Sequence, residues 1–298
     1  MGGAALAELA EHLKRDRDLP CDARRASVVV GGSINRCYRL PAPAGDMFVK
    51  LNAPERLQMF EAEAAGLKTL GAAAAIAVPR VLAVGAYANG AYLVLEWLDF
   101  SGQRRGAEAR LGRELARQHA TGQARFGWER DNTIGSTPQP NAPADDWLEF
   151  LRERRLGYQL ELAATHALPP ELLDAAHRVL ARLDDFFAGY EVAPALLHGD
   201  LWSGNWAATA EGSPYVFDPA VYFGDREMDL AMTRMFGGFG EDFYAAYERA
   251  WPLDRGAAAR RDLYELYHWL NHYNLFGASY LEPVAACLAR LSARPRRT

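Results

Sequence analysis

The sequence predicts an α+β fold in two lobes, a small β-rich lobe over residues 1–98 and a larger, mainly helical lobe over residues 99–298. Three observations predict it. Apolar runs of strand length crowd into the first part of the chain, at 27–30, 37–40, 47–52 and 92–98. Beyond them helical periodicity takes over, near 106–120, 147–166, 171–189, 227–235, 243–251 and 257–276. With 298 residues and 50% hydrophobic content, the chain buries a sizeable core in one or two domains.

The small lobe opens on a helical pattern that carries Glu8 and Glu11, which no signal peptide does. Ser27-Val28-Val29-Val30 then runs into Gly31-Gly32-Ser33-Ile34-Asn35 and Cys37-Tyr38-Arg39-Leu40, a strand, a glycine loop and a second strand. Glycines let a backbone approach a phosphate and turn its N–H groups toward the anion, so Gly31, Gly32 and Ser33 are candidate phosphate contacts. No Gly-Lys-Ser/Thr follows, so this is not a Walker loop. After a turn at 41–46, Met47-Phe48-Val49-Lys50-Leu51-Asn52 places a lone cation in a third strand, where kinase-like folds keep the lysine that pairs with nucleotide phosphates.

A helix predicted at about 57–70 aligns Leu57, Phe60, Ala64 and Leu67 on one stripe, and Glu63 falls inside it. A carboxylate facing a core needs a partner, and Lys50 is the expected one. Glu61 lies off the stripe and is expected to face water. Tyr92-Leu93-Val94-Leu95-Glu96-Trp97-Leu98 is an apolar strand that ends in the linker Asp99-Phe100-Ser101-Gly102. It is read as a hinge, its backbone at Glu96, Trp97 and Leu98 offered to an adenine ring.

The large lobe carries the most specific fragment. In Leu196-Leu197-His198-Gly199-Asp200-Leu201-Trp202-Ser203-Gly204-Asn205 an aspartate stands five residues ahead of an asparagine on a loop leaving an apolar strand. Phosphoryl transfer to an alcohol needs a carboxylate to take the hydroxyl proton, here Asp200, and an oxygen ligand for magnesium, here Asn205. A second ligand, Asp218, ends the strand Tyr215-Val216-Phe217, and the polar turn Ala210-Glu211-Gly212-Ser213 predicts a hairpin that sets Asn205 beside Asp218. Two hard oxygens suit Mg2+, which draws the rest of its shell from phosphates and water.

His198 is expected to brace this loop and Asp229 to brace the loop or cap a helix. His268 and His272 stand four apart, yet no glutamate follows His268 and no third ligand is evident, so zinc is not expected. Residues 127–145, rich in Asn, Pro and Thr, read as a loop with little order of its own.

Glycine loop, lysine, glutamate, base loop and metal aspartate follow the chain order of a two-lobed protein-kinase-like fold. On these residues, and on Phe217-Asp218-Pro219-Ala220, Gly224-Asp225-Arg226-Glu227-Met228-Asp229-Leu230-Ala231 and residues 131–141, the chain resembles the fructosamine-3-kinase (ketosamine-3-kinase) family of the aminoglycoside-phosphotransferase-like group, from about Val28 to Leu291. The resemblance implies ATP-dependent phosphorylation of the 3-hydroxyl of a ketosamine, a sugar adduct on a small or protein-linked amine, whose unstable product frees the amine. It implies Asp200 as base, Asn205 and Asp218 as metal ligands, and Trp202 at the sugar site. It also turns Trp269, Asn271 and His272 toward that pocket, with helix packing the equal alternative for these three.

Some relatives carry a cysteine in the glycine loop. This chain has Ser33 in a loop that looks shorter, so thiol control through that position is not expected, and Cys37 reads as a buried, inert thiol. Two other classes stay open: a kinase of another alcohol such as an aminoglycoside or choline, and a nucleotide-binding module without catalysis. No Asp-Phe-Gly or Ala-Pro-Glu segment follows Asp218, which weighs against a protein kinase.

Composition agrees with a small-molecule enzyme. Against 38 acidic residues stand 33 basic ones, a net charge of −5, and the one basic run, 290–297, reads as a solvated tail. Nucleic-acid binding gains no support from that balance. Three scattered cysteines, no membrane-spanning run and no myristoylation site predict a soluble, cytoplasmic protein.

Overall fold

The computed structural model describes residues 2–30 and 34–294. Helix α1 (Gly2–Arg17) precedes strands β1 (Ser27–Val29), β2 (Arg36–Leu40) and β3 (Met47–Asn52), helix α2 (Leu57–Ala73), and strands β4 (Val81–Tyr87) and β5 (Gly90–Glu96). The strands form one sheet in the order β1-β2-β3-β5-β4, every neighbour antiparallel.

Alternation along β3 decides where the lysine goes, because successive side chains leave a strand on opposite faces. Met47, Val49 and Leu51 pack with Leu6, Leu9 and Leu13 of α1. Phe48 faces the other way, toward a cluster that holds Phe60 and Leu67 of α2. Lys50 shares the Phe48 face, and Glu63 waits there on α2.

The rest of the chain is mainly helical: α3 (Arg104–His119), the hairpin β6 (Asn132–Ile134) and β7 (Thr137–Gln139), α4 (Trp147–Phe150), a π-helical stretch (Leu151–Gly157), α5 (Tyr158–Thr165), α6 (Pro170–Leu180) and α7 (Leu183–Phe187). Four short strands follow, β8 (Ala195–Leu197), β9 (Trp206–Ala208), β10 (Pro214–Val216) and β11 (Tyr222–Gly224), then α8 (Glu227–Met235), α9 (Glu241–Ala250), α10 (Ala257–Phe276) and α11 (Leu281–Ser292). Leu263, Tyr264, Tyr267 and Leu270 of α10 stand in the main core with Phe150, Tyr222 and Leu288. A second core joins Leu111 and Leu115 of α3 to Phe243 of α9 and Trp206 of β9.

The predicted hairpin after Asn205 is present as β9–β10, with Trp206 opposite Val216. Other expectations are corrected. The helix expected over 171–189 is broken, because the backbone leaves helical angles at Arg182 (φ −120, ψ 19) between α6 and α7. Residues 127–145 are ordered: β6 pairs with β7, and the buried Asn132, Gln139 and Asn141 hydrogen-bond one another and the Ala220 and Val221 carbonyls. Polar composition here goes with buried side chains satisfied over long range, not with solvent exposure. The first part of the basic run is no tail either, since Arg290 pairs with Asp262 at 2.9 Å and with Glu265 at 3.1 Å, and Arg294 with Asp262 at 2.8 Å. Among the described residues no helix is long and apolar enough to cross a membrane.

Candidate active site

Between the sheet and the helical part lies a cavity of about 550 Å³, lined by Lys50, Glu63, Asp200, Asn205 and Asp218 together. Lys50 Nζ donates to Glu63 Oε1 at 2.7 Å and to Asp218 Oδ1 at 2.5 Å. Lys50 is buried. Burial alone would lower its pKa, but the carboxylates of Asp218 and Glu63 more than compensate and hold it above the ordinary lysine value. Burial pushes Glu63 up, against the pull of Lys50.

The loop that carries Asp200 is held from beneath. Asp229, buried on α8, accepts the His198 and Gly199 N–H groups at 2.8 Å each, one on each carboxylate oxygen, and lies 3.0 Å from His119 Nε2. Gly199 has φ +85, and a Cβ there would stand 2.0 Å from the Ala220 carbonyl oxygen, so only glycine fits. His198 is buried, which lowers its pKa and keeps it neutral. Its Nε2 lies 3.1 Å from the Phe217 carbonyl, which can only accept; the proton is therefore on Nε2, and Nδ1 is free to take the Asp200 N–H at 3.3 Å. One imidazole thus ties the Asp200 backbone to the residue before Asp218, which is the bracing role expected of it.

Asn205 Nδ2 donates to the Asp200 carbonyl at 2.8 Å and to Asp200 Oδ2 at 3.2 Å. With the amide nitrogen so committed, Oδ1 is the atom left for a cation. Asp218 has φ +58, a left-handed conformation that costs a non-glycine residue about 1–3 kcal/mol and recurs where function imposes it. One of its oxygens faces Lys50 and the other carries no hydrogen bond among the described residues. Two hard oxygens left open on residues that line one cavity fit a magnesium ion carried by phosphates.

Trp202 also lines the cavity, its ring edge-on to Phe236 at 6.3 Å. Gly204 makes this possible, because a Cβ there would meet the indole at 2.2 Å. Of the α10 candidates His272 lines the cavity, as does Asn271, whereas Trp269 does not. Trp269 sits behind them, against Phe236, His272 and Tyr280. At the hinge the Glu96 N–H is taken by the Arg80 carbonyl and the Trp97 N–H by the Asp46 carbonyl, at 3.0 Å each. The Leu98 N–H alone of these three N–H groups has no partner among the described residues, so one hinge donor is open. Phe48, Leu95, Phe100 and Phe217 give this end of the cavity apolar walls suited to a flat base. Gly31, Gly32 and Ser33 lie outside the described residues.

Sequence reasoning missed Arg155, which the π-helical stretch carries into the core. Its guanidinium donates to the Pro140 carbonyl at 2.7 Å and to Asn141 Oδ1 at 2.6 Å and lies 3.9 Å from the Tyr222 ring centre, holding the 131–141 segment against the site. An arginine inside an otherwise apolar helical stripe was the available signal.

Cys37 lines the cavity, and burial pushes its thiol up to about 11 although the Lys50 charge pulls the other way. Burial likewise takes Cys21 to about 11 and Cys287 to about 12. Alkylation of the native protein by iodoacetamide at pH 7.5 is therefore expected to run more than about tenfold slower per thiol than for free cysteine. Rapid stoichiometric labelling of Cys37 in a mass-spectrometric time course would contradict this.

The family model for fructosamine kinase matches residues 5–294. The chain belongs to the fructosamine kinase family. Among other members, a Synechocystis sp. protein that carries the name ketoamine kinase is 45% identical over 273 residues, 91% of this chain and 92% of that one. A chloroplastic protein-ribulosamine 3-kinase of Arabidopsis thaliana is 45% identical over 255 residues, 85% of this chain and 78% of that one. A solved Thermobifida fusca structure named for fructosamine-3-kinase superposes with a TM-score of 0.84 at 32% identity, covering 96% of this chain and 99% of its own. The two-lobed kinase-like fold of the fructosamine kinases is thus the fold of this chain.

Proposed function

We propose that this protein transfers the γ-phosphoryl group of ATP to the 3-hydroxyl of ketosamines, ribulosamine- or fructosamine-type adducts, and so begins their removal from amines. The observation that carries this reading is the meeting of Asp200, Asn205, Asp218 and Lys50 around one cavity in a chain whose relatives are named for ketoamine and ribulosamine phosphorylation.

Lys50, oriented by Glu63, pairs with the α and β phosphates, and the Leu98 N–H and the apolar walls take the adenine. Asn205 Oδ1 and the open Asp218 oxygen hold Mg2+, which when bound neutralises phosphate charge. Asp200 receives the proton of the sugar hydroxyl as the P–O bond forms, and the bond to the β-phosphate oxygen breaks to release ADP. Catalysis here is mostly positioning and charge stabilisation.

An ADP-release assay with free and protein-linked ribulosamine and fructosamine, beside an aminoglycoside and choline, tests the reading. The expected result is turnover of the ketosamines by at least a hundredfold in kcat/KM over the other alcohols. Turnover of an aminoglycoside or choline with none of any ketosamine would overturn it.

A further inference from the structure

Asn271 is 1% exposed, lies on α10 and lines the cavity. Its amide orientation is dictated from a backbone carbonyl outward. Asn274 Nδ2 donates to the Gln159 carbonyl oxygen at 2.9 Å, and since a carbonyl only accepts, that atom must be the NH₂. The same Nδ2 reaches Gln159 Oε1 at 2.7 Å. Gln159 therefore turns its Nε2 to Asn271, donating to Oδ1 at 3.2 Å. Asn271 Nδ2 is left with no hydrogen bond among the described residues, a donor left open on a side chain that lines the cavity. A donor left open in this way is available to an acceptor on a ligand.

The neighbouring residue offers the opposite. His272 Nδ1 lies 2.8 Å from the His268 carbonyl and so must carry the proton. Burial lowers its pKa, which leaves the ring neutral, with Nε2 a bare lone pair. Its ring lines the same cavity as Asp200. One donor and one acceptor on consecutive residues thus stand in the pocket that holds the candidate base.

We propose that Asn271 and His272 together read the amino-ketone end of the substrate, Asn271 Nδ2 donating to the ketone oxygen on carbon 2 and His272 Nε2 accepting an N–H of the amine on carbon 1. The inference rests on the ketosamine reading above and deepens it. A ketone oxygen accepts only and a protonated amine donates only, so the pair is complementary to that head group and to no mirror arrangement of it. Carbon 3 adjoins carbon 2, so fixing the carbon 2 oxygen also orients the hydroxyl that Asp200 deprotonates. A purely apolar pocket could not supply this discrimination, whereas a buried polar group left unpaired rejects the wrong partner strongly.

The test is steady-state kinetics on a ketosamine and on its reduced analogue, in which carbon 2 bears a hydroxyl. Asn271→Asp keeps the acceptor for Gln159 but exchanges the cavity donor for an acceptor. Its KM for the ketosamine is expected to rise at least tenfold, with the KM for ATP within about twofold of wild type. The reduced analogue can donate to the new carboxylate, so the ketosamine preference over it should fall at least tenfold. His272→Phe keeps a ring but removes the lone pair, and it should raise the ketosamine KM in the same range even if Asn271→Asp fails to fold. Equal losses on both substrates, or an unchanged ketosamine KM in either folded variant, would overturn the inference alone. A wild-type enzyme that turned over no ketosamine would overturn the functional reading and the inference with it.

Discussion

Replacing Asp200 by asparagine is expected to lower turnover of a ketosamine by roughly 10² to 10⁴, the range of a lost general base, while ATP binding stays close to wild type. Asp200 is raised to about 7, first by burial and then by the negative charge of Asp218, with the Asn205 hydrogen bond opposing both. A base must be deprotonated to act, so kcat/KM of the free wild-type enzyme should climb as pH rises through about 7, and that limb should vanish in the variant.

Stability should move the other way. The folded pKa lies above the ordinary value of 3.8, so the fold favours the protonated carboxyl. Ionisation therefore costs nothing below about pH 4, and its cost grows as pH rises toward 7 and is complete above it. Asp200→Asn removes that cost and should be more stable than wild type by about 1–3 kcal/mol at pH 8 and no more stable at pH 4, a trade of stability for function seen at many active sites. The range is set below the full shift because Asp200 keeps some solvent contact. Denaturant melts at the two pH values measure it, and full turnover in the variant would remove Asp200 from its assigned role.

Asp229→Ala should have the largest effect on folding. Three groups point at this carboxylate: the His198 and Gly199 N–H groups and the His119 ring, all buried. Each loses its partner together, and breaking a buried, hydrogen-bonded charge typically costs about 3–5 kcal/mol. That is a large part of the roughly 5–15 kcal/mol a domain has. Urea titration should show the loss, and soluble variant should turn over poorly because the Asp200 loop is no longer held. A shift under about 1 kcal/mol would mean the loop is held by other contacts.

What the sequence could carry was local or periodic. Its place as the lone cation of the third strand singled out Lys50, and helical spacing put Glu63 on the inner face of α2, so their pairing was expected before any coordinates. The hairpin turn between Asn205 and Asp218 was equally legible, because residue type and loop length decide turn geometry over a few residues.

Long-range polar matches were not legible. Residues 127–145 were read as loose because their composition is polar, yet Asn132, Gln139 and Asn141 are buried, satisfied by carbonyls some eighty residues away in sequence or by Arg155. The hinge donors were narrowed by carbonyls of Arg80 and Asp46, and Trp269 was set behind the pocket wall by the packing of α10.

By itself the sequence determined the strands and helices that bear the reacting groups, the order of those groups along the chain, and the chemistry their side chains allow. Only the tertiary structure decided which atom of each group is free: the Asn205 oxygen, the His198 tautomer, the Leu98 N–H and the Asn271 amide nitrogen. The physical reason is that a hydrogen-bonding group is spent or spared by its partners, and those partners arrive from distant parts of the chain once it has folded.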